Sequence, residues 1–183
     1  MNYLRLFISL PVDAATTREI TKKFTGLNLP WEKLKLIQPD QIHLTLKFLG
    51  DTPIDKIPPL IATLQEIKLN FQYLELTIEN SIIFNSKTPK VLALKIKENK
   101  KLQTLFKAIE EKLFSAGLAH RENKKFSAHL NLARIKKTSQ HKEFAKFTDW
   151  QVHKIIQASY FELKESVLTK KGPEYTTLQT FDL

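Results

Sequence analysis

HLTL at 43–46 and HLNL at 129–132 decide how this chain is read. Each tetrapeptide sets a histidine and a small hydrogen-bonding residue two positions apart, with a leucine between them and a leucine after. In a β-strand, residues two apart share a face. Each segment therefore turns one imidazole and one polar side chain to one side, and two leucines to the other. Two such strands lying side by side bring His43 and His129 over one pocket. Thr45 and Asn131 accompany them as hydrogen-bonding partners for a ligand.

Working outward, the same plan surrounds both segments. LRLFISL at 4–10 reads as a buried strand, and Asp13 caps a helix over 14–25. A strand at 42–50 follows, stopped by Gly50-Asp51-Thr52-Pro53, then a helix over 55–67 with its prolines in the first turn. Strands are expected at 71–79 and 81–84. In the second half, VLALKI at 91–96 is a strand. Residues 99–116 form a helix with Leu102, Leu105, Phe106, Ile109, Leu113 and Phe114 on one face, and Gly117 stands where it stops. The strand at 129–135 precedes a charged helix at 138–147, and long strands at 152–167 and 175–182 flank a Gly172-Pro173 turn. Leu6 precedes His43 by 37 residues, and Leu92 precedes His129 by 37 residues. Shared element order and shared motif argue for two related halves. The expected fold is α+β: two pseudo-symmetric lobes, antiparallel or mixed sheets facing a central cleft, and helices outside. Residues 1–183 are expected to form a single domain.

Composition narrows the function. The chain is 42% hydrophobic and 26% charged, the profile of a soluble globular protein. It has no cysteine, which excludes disulfides and thiolate metal sites. No segment approaches the roughly 20 apolar residues of a membrane helix, and a cytoplasmic monomer is expected. The 29 basic residues exceed the 19 acidic ones by 10. Lys87, Lys90, Lys95, Lys97, Lys100 and Lys101 form one basic cluster; Arg121, Lys124, Lys125, Arg134, Lys136 and Lys137 form another around the second tetrapeptide. Such surfaces attract polyanions, RNA among them.

HLTLKFLGD at 43–51 and FSAHLNLAR at 126–134 resemble the two signatures of the 2H phosphoesterases. The nearest branch is the RNA 2′,3′-cyclic phosphodiesterases, long labelled 2′-5′ RNA ligases. Arg5-Leu6-Phe7-Ile8, Pro89-Lys90-Val91-Leu92 and the segment from Ser166 through Gly172, Tyr175 and Leu178 extend the resemblance over nearly the whole chain. Two positions depart from the pattern: Ala128 replaces the usual proline before the second histidine, and Asn131 the usual threonine or serine after it.

The resemblance implies opening of a 2′,3′-cyclic phosphate at an RNA end, typically to a 2′-phosphate, and ligation as the reverse reaction. One imidazole takes a proton from water and the other supplies one to the departing 3′-oxygen. Histidine suits both tasks because its pKa of about 6.5 lies near neutrality. The two motifs are nearly symmetric; analogy points to His129 as base and His43 as acid. Thr45 and Asn131 hold the phosphate oxygens. Arg134 matches a family arginine for phosphate or RNA backbone, although alternation puts it opposite His129 unless the strand bulges. Lys47 has the parity to line the cleft. Lys90 and Arg5 are weaker phosphate candidates, and Phe7 and Phe126 read as core. No metal and no cofactor are expected. Alternative substrates are 2′-5′-linked oligonucleotides or small cyclic nucleotides, and a binding protein with lapsed catalysis is a further alternative.

Overall fold

The computed structural model describes residues 2–85, 88–136, 139–170 and 172–183. The basic residues Lys87 and Lys137 lie outside them. The strands are β1 (Tyr3–Pro11), β2 (Leu34–Leu36), β3 (His43–Pro53), β4 (Leu74–Phe84), β5 (Val91–Ile96), β6 (His129–Ile135), β7 (Gln151–Ala158), β8 (Tyr160–Thr169) and β9 (Gly172–Asp182). The α-helices are α1 (Ala14–Thr25), α2 (Ile57–Gln65), α3 (Lys100–Ser115) and α4 (Ala145–Thr148). The α+β expectation holds, with one modification. The strands form one curled antiparallel sheet in the order β7-β4-β5-β6-β3-β1-β8-β9, with β2 also paired to β6. The two halves meet where β3 pairs with β6.

The repeat is visible about that seam. β1 flanks β3 and β5 flanks β6. Each half is completed by a strand from the other: β4, from the first half, pairs with β5, and β8, from the second, pairs with β1. The expected continuous strand at 152–167 is broken at Ser159. β7 pairs with β4 while β8 pairs with β1, on opposite arms of the sheet. A single residue joins the two arms, so the sheet has to curl, and Leu183 N–H closes the corner by donating to the Ser159 carbonyl at 2.9 Å. The two strands expected at 71–84 are one strand, β4, bulged between Ile78 and Asn80. The charged helix expected at 138–147 is reduced to a 3₁₀ turn at His141–Phe144 and the four-residue α4.

One face of the sheet is apolar and covered. Leu44, Leu46, Leu92, Leu94, Leu130 and Leu132 pack with Ile20 and Phe24 of α1, and with Leu102, Leu105, Ile109 and Leu113 of α3. Antiparallel sheets support this division, one face in the core and one open. The helix limits follow local chemistry. Asp13 accepts a bond from Thr16 N–H at 2.8 Å at the start of α1. After α3, Leu118 N–H reaches the Leu113 carbonyl and Gly117 N–H the Phe114 carbonyl, and Gly117 takes φ +66°, a conformation that favours glycine. Among the described residues no helix is long and apolar enough to cross a membrane.

Candidate active site

The seam places the two tetrapeptides together. Leu44 lies opposite Leu130 in the antiparallel ladder, which carries His43 towards Asn131 and Thr45 towards His129. The buried leucines hold their own face inward, so both histidines point to the open one. His43 Nδ1 lies 2.8 Å from the Gln41 carbonyl, and His129 Nδ1 lies 2.7 Å from the Ser127 carbonyl. A carbonyl oxygen only accepts, so Nδ1 carries the proton in both rings and donates it. Each neutral imidazole therefore keeps the lone pair on Nε2. The two halves build this device in the same way, from the carbonyl two residues upstream.

Aromatic rings pack around both imidazoles. Phe7 and Tyr175 flank His43 at ring-centre distances of 5.0 and 5.3 Å, and Phe84 lies 4.5 Å from His129. This apolar packing has an electrostatic cost for the charged form. Burial pushes His43 down to about 4, against the pull of the Gln41 carbonyl; Lys164 lowers it further and Glu162 opposes. Burial also lowers His129, against its bond to Ser127. Near neutral pH both rings are neutral.

Two bulges decide what else reaches the cleft. On β3, Ile8 faces Lys47 but Ser9 faces Thr45, so Leu46 is the extra residue. On β6, Leu92 faces Ala133 but Ala93 faces Asn131, so Leu132 is extra. Alternation reverses after each bulge. Arg134 is turned onto the histidine face and joins His43, Thr45 and Asn131 around a cavity of about 270 Å³. The same shift corrects the reading of Lys47. It does not line the cleft but is 3% exposed on the core face. Its ammonium pairs with Glu110 of α3 and donates to the His120 carbonyl at 2.8 Å. Phe48 takes the cleft position instead, 67% exposed.

Arg5 lines the cavity, and Lys90 does not. Phe7 is buried as expected, yet its ring also forms the wall beside His43. Phe126 stacks on Phe106 at 4.3 Å and packs, partly buried, against the core. Two of the six residues of the second basic cluster are engaged elsewhere: Arg121 pairs with Glu111 and Lys125 with Glu98. Sequence reasoning missed the cavity roles of Tyr175, Phe48 and Leu168. Tyr175 belongs to a segment already matched by resemblance, which was the available signal. Burial raises its phenol, and the charge of Arg134 opposes that rise. Asn131 Oδ1 is buried with no hydrogen-bond partner among the described residues; it is an acceptor, and the amide NH₂ is the group that can donate to a phosphate oxygen. Among the described residues no three His, Asp or Glu side chains are grouped to hold a metal ion.

Comparison with known proteins agrees with this architecture. The family model of LigT-like phosphoesterases matches residues 10–92, a span that takes in His43 and Thr45 and ends before β6. An RNA 2′,3′-cyclic phosphodiesterase of Archaeoglobus fulgidus is 30% identical over 183 residues, covering 98% of this chain and 100% of that protein. Among solved structures, TT0787 of Thermus thermophilus superposes with a TM-score of 0.81 at 25% identity, covering 98% of this chain and 97% of that one. E. coli LigT complexed with 3′-AMP gives 0.80 at 20% identity, covering 100% and 99%. With a full-length relative at that identity and a shared sheet, the chain belongs to the LigT-like phosphoesterases of the 2H superfamily.

Proposed function

We propose that this protein hydrolyses the 2′,3′-cyclic phosphate at RNA ends to a 2′-phosphate, using His43 and His129 as an acid–base pair and no metal. The observation that supports it most is the β3–β6 seam, where two imidazoles with equivalent Nδ1 anchors stand on one face of the sheet, His43 lining the cavity and His129 beside Thr45 at its edge. The name of the Archaeoglobus relative supports the substrate class. Both halves contribute to one pocket, so residues 1–183 act as one catalytic unit.

In this reading the neutral Nε2 of His129 takes a proton from water, and the water oxygen attacks phosphorus. The P–O3′ bond breaks, and the 3′-oxygen takes its proton from His43. A histidine that is neutral in the free protein serves as acid once an anion lies beside it, because the phosphate charge favours the imidazolium. Thr45 Oγ1, the Asn131 amide and the Arg134 guanidinium supply donors to the non-bridging oxygens, whose charge grows in the transition state. With a 5′-hydroxyl in place of water the same roles give 2′-5′ ligation: His129 takes the hydroxyl proton, the 5′-oxygen attacks phosphorus, and the P–O3′ bond breaks as His43 protonates the 3′-oxygen.

The depressed imidazoles give this mechanism a pH signature. Catalysis needs one ring charged and one neutral, and kcat/KM reports the free protein. Both pKa values lie below the ordinary value of about 6.5. Above both of them the doubly neutral form dominates, so kcat/KM peaks below pH ~6.5 and falls as pH rises towards 8. An optimum above pH 7.5 would reject the assignment. The activity itself is tested with an RNA oligonucleotide ending in a 2′,3′-cyclic phosphate, in EDTA, with the product identified by its resistance to 3′-phosphatase. The expected product is a 2′-phosphate. Binding without turnover would instead support the reading that Ala128 and Asn131 have left a nucleotide-binding protein.

A further inference from the structure

The cavity at His43 does not end at Arg134. It continues into a second cavity of about 510 Å³ and shares Ile37, Gln41, Arg134, Pro173 and Tyr175 with it. One wall of this extension is residues 35–38, in and after β2. The other is Thr169 at the end of β8 with residues 172–175 at the start of β9. Gln41 Nε2 donates to the Pro173 carbonyl at 2.8 Å and fastens the two walls where the cavities join. The result is one continuous groove from His43 to Lys35.

Its charge is positive and not neutralised from within. Arg5 lines the first cavity, Lys35 the second, and Arg134 both. None of the three side chains has a hydrogen-bonding or ion-pair partner among the described residues, whereas those of Lys33, Lys47, Lys95, Lys154 and Lys164 are all paired. Glu174 is the acidic residue of the extension, exposed on its lip. Lys35 leans over the first residue of β9: a Cβ built on Gly172 would lie 3.2 Å from its Nζ. Unpaired cations in a groove with low-dielectric walls focus potential on a polyanion.

We propose that this extension is a binding site for the nucleotide on the 5′ side of the terminal one, with the linking phosphodiester beside Lys35. The inference rests on the functional reading above. With a cyclic phosphate at the imidazoles, the first cavity takes one nucleoside. The 5′-oxygen of that nucleoside then leads into the continuation of the groove past Arg134. The extension makes the protein a reader of RNA ends in preference to free mononucleotide cyclic phosphates.

Binding separates this inference from catalysis. A nucleoside 2′-phosphate and a dinucleotide with the same 2′-phosphorylated end are titrated by calorimetry into the full chain. The dinucleotide should bind about tenfold or more tightly, as one charge-assisted phosphate contact allows. Lys35→Ala should bring that ratio towards one, and Lys35→Glu should bring it lower still. Lys107→Ala, an exposed lysine on α3, controls for general attraction by a basic protein. Equal binding of the two ligands by the wild-type protein would overturn the inference, as would an equal loss of the ratio in Lys107→Ala. If the ratio is present while RNA cyclic phosphates are not hydrolysed, the subsite stands and the phosphodiesterase reading fails.

Discussion

His43→Ala and His129→Ala should each lower kcat/KM on an RNA 2′,3′-cyclic phosphate by about 10²–10⁴-fold, the range of one positioned acid or base. The double variant should be little worse than the poorer single one, because the two imidazoles serve one proton-transfer sequence and groups acting as a unit are not additive. Loss of binding is excluded as the cause by titrating the 2′-phosphate product, which on the proposed mechanism Thr45, Asn131 and Arg134 also hold. Loss of folding is excluded by denaturation, and there the histidines give a readout of their own. His43 is pushed down to about 4 in the folded protein by burial. As pH falls below about 6.5, the unfolded chain takes up a proton that the folded chain refuses. Stability contributed at neutral pH is therefore lost progressively between pH 6.5 and 4. His43→Asn should flatten that slope while abolishing turnover. Either single variant retaining activity within fivefold of wild type would sink the paired-imidazole mechanism.

The histidine pair was legible in sequence because three signals agree there: period-two leucines, matched parity of the polar residues and equal spacing from an upstream strand. Once the leucines are buried, the faces of His43, Thr45, His129 and Asn131 follow without further information. The bulges were not legible. In LTLKFLG and LNLARI nothing marks the extra residue, and a single insertion reverses every face beyond it. That is why Lys47 was expected in the cleft and Phe48 was not considered, and why Arg134 needed a bulge to reach the phosphate side. The break at Ser159 was hidden for a different reason. Residues on both sides favour strands, and their separation onto two arms is set by pairing with β4 and β1, distant in sequence. Tyr175 reaches His43 by the same long-range route.

Lys47→Ala should be among the most destabilising substitutions in the chain, by about 3–5 kcal/mol in urea denaturation, because it strands a buried carboxylate. Lys47 and Glu110 have side chains 2% and 10% exposed. Each also satisfies the 118–122 segment: Lys47 Nζ donates to the His120 carbonyl at 2.8 Å, and Glu110 accepts from Glu122 N–H at 2.8 Å. Removing the lysine leaves Glu110 of α3 charged and without its ion-pair partner, and takes the donor from the His120 carbonyl as well. Lys47→Met with Glu110→Leu removes both charges, and should recover much of the loss, since apolar replacement of a buried pair is often neutral or better. Recovery should stop short of wild type because the His120 and Glu122 backbone groups lose their partners. The pair also bears on register. Without the bulge at Leu46, β3 would bury Phe48 and send Lys47 to the cleft, an arrangement that hydrophobicity alone favours. The Glu110 carboxylate offers Lys47 a partner on the core face and so favours the bulged register, with Phe48 on the cleft wall. The apolar double variant should accordingly keep its fold but lose fixed packing at Phe48, read as broadened methyl and ring resonances for residues 44–50. A single Lys47→Ala variant within 1 kcal/mol of wild type would mean that water or a rearranged side chain already satisfies Glu110.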